Sequence, residues 1–98
     1  MKPTPKPPPK PTHPYQRGAN YLIRTLTYHY TGRLVDITPL ELILENVAWI
    51  ADSGRFTQAL LNCDFREVEM FPINAKVILG RGCIVDAVQI NTLPTAQK

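Results

Sequence analysis

Cysteine is scarce. Only Cys63 and Cys83 occur, with nineteen residues between them, and neither a C-x-x-C pair nor a nearby histidine pair completes a four-ligand zinc site. The pattern reads as two buried, reduced thiols in a cytosolic protein. Long apolar runs are missing too: none approaches the roughly 18 residues of a membrane span, and the lysine-bearing N-terminus has no apolar stretch of the signal-peptide kind. A soluble, cytoplasmic protein without membrane association is expected. Histidine is limited to His13, among prolines, and His29, in an aromatic run. No spacing pairs a nucleophile with a base, so no enzyme and no cofactor are expected. Ninety-eight residues also exclude a large multi-site enzyme, because they supply one hydrophobic core at most.

Proline is plentiful but confined. Pro3, Pro5, Pro7, Pro8, Pro9, Pro11 and Pro14 are seven of the ten, and such a stretch supports neither helix nor sheet ladder. Residues 1–14 are expected to be an extended polyproline II or disordered arm, and residues 15–98 the folding domain. Lys2, Lys6 and Lys10 account for the whole net charge of +3, since eight Lys/Arg balance eight Asp/Glu from Tyr15 onward. A globally basic, nucleic-acid-type domain is thereby excluded, while a local basic patch is not. Within the arm, Pro5-Lys6-Pro7-Pro8-Pro9-Lys10 fits the P-x-x-P-x-K pattern that aromatic grooves accept, so a protein partner for the arm is one reading. A solvated spacer is the other.

From Asn20 the chain turns to β-branched and aromatic residues in strand patterning. NYLIRTLTYHYTGRLVDIT reads as one long strand bent at Gly32, and LELILENVAWI as a second, after the Thr38-Pro39 turn. Ser53-Gly54 breaks that strand, and Phe56, Ala59, Leu60 and Cys63 recur at helical spacing, giving a short helix over about 55–63. Strands follow around Val68–Met70, Lys76–Leu79 and CIVDAVQI, the last two joined by Gly80-Arg81-Gly82. NTLPTAQK reads as an exposed tail. The expected fold is mainly β: a small five-stranded, SH3-like antiparallel barrel with one inserted helix and the proline-rich arm. Its last strands are left free to pair with a neighbour, which favours homo-oligomers.

Two stretches resemble the motifs of Sm/LSm proteins. Gly32-Arg33-Leu34-Val35-Asp36-Ile37-Thr38-Pro39-Leu40-Glu41-Leu42-Ile43-Leu44-Glu45-Asn46-Val47 is similar to the first, and Val77-Ile78-Leu79-Gly80-Arg81-Gly82-Cys83-Ile84-Val85 to the second. The resemblance spans roughly Tyr21 to Val88. It implies a strongly bent barrel assembling into a ring by strand pairing between subunits, with the two motif loops holding a base of RNA or of a small nucleotide. Arg81 and Gly82 match the basic residue and glycine of the second motif. In the first, Thr38 stands where that family has Asp, the loop is one residue shorter, and Glu41 occupies the place of the base-reading Asn. The combination of YHYTGR and AWIADSGRF is also similar to small Sm-like proteins of bacteriophages and prophages. In that setting the alternatives are a structural protein of a phage particle using the arm, or a sponge that sequesters a nucleotide signal.

A second candidate site is WIADSGRF. Trp49 and Phe56 offer ring faces for a base, Arg55 a phosphate fork, Ser53-Gly54 backbone donors and Asp52 an acceptor for a ribose hydroxyl. The same residues also serve as packing and caps: Trp49 and Phe56 seating the helix, Asp52 or Ser53 capping it, and Arg55 paired with a carboxylate. Glu67 and Glu69 share a strand face, either as ligands of a divalent ion or as a solvated acidic edge.

Overall fold

The computed structural model describes residues 13–98. All but the last two residues of the proline arm lie outside the described residues. The remainder is mainly antiparallel β with one short helix. No described helix is long and apolar enough to cross a membrane.

Six strands form the sheet where five were expected. The difference lies in the run read as a single bent strand, which divides into β1 (Asn20–Thr25) and β2 (His29–Ile37). Leu26, Thr27 and Tyr28 hold no glycine, proline or asparagine to announce a turn. The Thr25 side chain supplies it instead: its Oγ1 donates to the Tyr28 carbonyl at 2.7 Å and accepts from the Tyr28 amide at 2.9 Å. Both hydrogen-bonding groups of Tyr28 are engaged without a special φ.

The spine of the sheet is β3 (Glu41–Asp52), twelve residues paired along one edge with β2. Its other edge is shared. β5 (Val77–Gly80) pairs with residues 41–44, and β4 (Glu67–Met70) with residues 48–52. β6 (Ile84–Gln89) lies on the far side of β1. β5 thus sits on the β3 edge beside the path β4-β3-β2-β1-β6, with β6 at the far end, and the 3-10 turn Arg81–Cys83 joins the two. Three residues reach about 10 Å, so the end of β5 and the start of β6 lie close together.

Bending occurs where Gly32 faces the level of Asn46 and Val47. The β2–β3 register slips between Thr31 and Arg33, and Asn46 takes a φ of 52°. A Cβ on Gly32 would stand 3.1 Å from Val47 Cγ2 and 3.3 Å from Leu44 Cβ, so the glycine permits the close approach. The bulge also exchanges faces. Leu42 and Leu44 point into one core with Tyr21, Ile23, Leu34, Val47 and Leu79, whereas Ala48 and Ile50, of the same parity, point into a second. That second core holds Leu22, Phe65, Val68 and Ile90 beneath α1 (Phe56–Asn62), anchored through buried Ala59. β1 is thus buried on both faces at Tyr21, Leu22 and Ile23.

Two local expectations change. Residues after β6 are not wholly an exposed tail: Leu93 packs on the second core, Pro94 is buried, and Lys98 exchanges backbone hydrogen bonds of 3.1 and 3.2 Å with Val68. Apolar Leu93 and Pro94 close the end of that core, which polar neighbours obscured. The thiols are free but only half-buried. Cys63 closes the helix in the left-handed conformation, φ 57°, and partial burial raises its pKa.

Candidate functional site

The β3–β5 register sets Glu41 against Gly80, which brings the 38–41 turn and the 81–82 turn to one corner. The Arg81 amide donates to the Leu40 carbonyl, and its Nη1 to the Thr38 carbonyl, each at 2.8 Å. Thr38 closes its own turn, its Oγ1 accepting from the Glu41 amide at 2.9 Å and approaching Glu41 Oε1 at 3.3 Å. The Arg81 guanidinium also lies 5.7 Å from the centre of the Tyr15 ring. Gly82 is exposed beside it. Four of the residues singled out from sequence thus form one cluster. Arg17, Arg24, Arg33, Arg66 and Lys98 all have a carboxylate partner, but Arg81 has none among the described residues. Its guanidinium hydrogen bond goes to a backbone carbonyl rather than to a carboxylate.

WIADSGRF is not brought together in the same way. Asp52 Oδ1 accepts from the Gly54 amide at 2.8 Å, closing the turn after β3, and its other oxygen lies 3.8 Å from Arg66. The helix N-cap is Arg55, without a side-chain cap, so neither Asp52 nor Ser53 has the capping role expected. Local competition explains this, because Asp52 is spent on Gly54 two residues on. Arg55 has no carboxylate partner among the described residues. It lines a polar cavity of about 500 Å³ with Arg66, Lys98, Gln58 and Asp64. Phe56 is 40% exposed beneath the Arg24 guanidinium, 5.5 Å from its ring centre, and so does not seat the helix.

Trp49 belongs to a different place. It meets Tyr28 edge to face at 5.2 Å and 84°, and Tyr28 stands at 79° to Tyr30, which approaches Phe71 at 6.3 Å. With Met70, Pro72 and Glu69 these rings line an apolar groove of about 350 Å³. It continues the first core, against which Tyr30 and Phe71 are partly packed, out to the surface. Glu69 is the register partner of Trp49 on β4, which puts one carboxylate on the rim and leaves no lysine or arginine in the lining. Tyr28, Tyr30 and Phe71 were not singled out as ligand residues from sequence. Their signal was the strand parity of 28 and 30, which places both rings on one face.

Comparison with protein-family models, with curated proteins and with solved structures finds no match to this chain.

Proposed function

We propose that this chain is a non-catalytic Sm-like binding module that assembles into a ring and takes RNA or a nucleotide-type ligand, in a phage or prophage setting. The observation that carries the reading is the corner where Arg81, free of any carboxylate partner among the described residues, meets the Thr38–Glu41 turn. The Sm-like resemblance implies that meeting of motifs. Support for a closed small barrel comes from the strand path, with β5 on β3, β6 on β1 and only Arg81–Cys83 between them. Support for self-assembly comes from β5 and β6, each with one pairing partner and with exposed apolar residues, Ile78 at 62% and Val85 at 58%. In a ring each subunit repeats the single charge of Arg81, so a neutral body acquires a circle of cations.

Gel-shift titration with short single-stranded oligonucleotides tests the reading. Binding is expected at low salt, with a loss of about tenfold or more on Arg81→Glu, because phosphate-driven affinity is greatest there. Absence of binding at low salt would overturn it. Native mass spectrometry of the same material reports the stoichiometry and any retained nucleotide.

A further inference from the structure

The aromatic groove carries an inference independent of the nucleotide reading. We propose that it seats the proline–lysine arm, residues 1–14, of a second copy of this chain.

Shape comes first. Tyr28 stands nearly perpendicular to both Trp49 and Tyr30, so the rings present faces and edges around one apolar groove, and Pro72 lies alongside. Aromatic-lined grooves accept the pyrrolidine ridges of a polyproline II segment, which is already extended and loses little entropy on docking. The dimensions agree. Tyr30, Trp49 and Glu69 are register partners on three adjacent strands, a row of about 10 Å. One turn of polyproline II, from Pro5 to Pro8, advances about 9 Å. Lys10 then falls beyond the aromatic walls, where Glu69 stands.

Charge selects the same occupant. Glu69 is the one acidic residue in the lining, and no cation lines the groove. A phosphate would find no partner there, whereas an ammonium group gains both the carboxylate and the ring faces. The arm carries Lys2, Lys6 and Lys10 and no acidic residue, and these three lysines are the whole net charge of the chain.

The tether points to a neighbour. Only Pro11 and Thr12 separate Lys10 from His13, whose ring lies 6.0 Å from Tyr15, itself 5.9 Å from Tyr21 on β1. Three peptide units reach about 10 Å. Glu69 lies three strand spacings from β1, about 14 Å. Three peptide units against that span constrain the chain's own arm, whereas the arm of a second copy approaches the groove without the tether, so a second copy is the occupant assigned.

The only tryptophan of the chain, Trp49, reports directly on the groove. Acrylamide quenching of its fluorescence would be measured across protein concentration for the full chain and for a Pro5→Ala, Pro8→Ala, Lys10→Glu variant, each checked by circular dichroism. Protection of Trp49 that rises with concentration in the first and is lost in the second is expected. Mixing the arm variant with a Trp49→Phe chain, which keeps its arm and contributes no tryptophan fluorescence, should restore the protection. Equal quenching in both chains at every concentration would overturn the proposal. So would protection independent of concentration, which means the chain's own arm, or protection of the arm variant by added mononucleotide, which assigns the groove to a base.

Discussion

At Gly32 a methyl group is enough to oppose the bend of the sheet. Its Cβ would press on Val47 and Leu44, both fully buried, with no flexible side-chain end to yield. Gly32→Ala is expected to cost about 1–3 kcal/mol, as overpacking in a filled core does, measured by urea unfolding. Surface ion pairs behave differently. Arg24 donates from Nε to Asp86 at 2.7 Å, and that hydrogen bond holds the Asp86 carboxyl below the usual aspartate range. Asp36 is lowered as well, first by the Ile37 amide and then by Arg17. A depressed folded-state pKa stabilises the fold above the ordinary aspartate value of about 4. The contribution disappears as pH falls through the lowered value. Stability should therefore decline below about pH 4, and Asp86→Asn should make the acid limb shallower by lowering stability near pH 7 toward the acid value, a small loss because the pair is solvent-exposed. Thermal melts at a series of pH values check both limbs.

Elements differ in how openly their residues announce them. The helix at Phe56–Asn62 was legible from Phe56, Ala59, Leu60 and Cys63, and the bend at Gly32 from a glycine inside an apolar run. Leu42 and Leu44 face the core as their alternation implies, although Leu40, the first of that series, is 76% exposed in the turn. The β1–β2 hairpin was not legible, because its turn depends on a threonine hydroxyl whose role appears only once Tyr28 is brought back to it. Thr25→Val keeps the shape and removes both side-chain hydrogen bonds. It is expected to cost about 1–2 kcal/mol and to speed hydrogen exchange at the Tyr28 amide. The candidate site divides along the same line. Pairing of the 38–41 turn with Arg81 follows from two strands in register, which motif order foreshadowed. The aromatic groove joins residues 28, 30, 49 and 71 from separate strands and a loop, and only the fold gathers them.

For the whole molecule the free edges matter most. The β4 edge is engaged at Val68 by the backbone of Lys98, whereas β5 and β6 each keep one edge without a partner among the described residues. Ile78→Lys with Val88→Lys places charge on both edges, where lysine opposes strand addition. These side chains are 62% and 41% exposed, so the monomer fold should survive. For the proposed ring, light scattering is expected to show a fall from oligomer to monomer with an unchanged circular-dichroism spectrum, and an unchanged mass would rule out these edges as a subunit contact. The pairing of β1 with β6 has a further consequence during synthesis. Tyr21 is joined to Gln89, so a strand made near the start must wait for one made near the end. At ribosomal speeds of about 5–20 residues per second, the 64 residues from Thr25 to Gln89 take about 3–13 s. Throughout that interval the nascent chain has β1 half-covered, and a translational pause before residue 84 would prolong its exposure to chaperones and to neighbouring nascent chains.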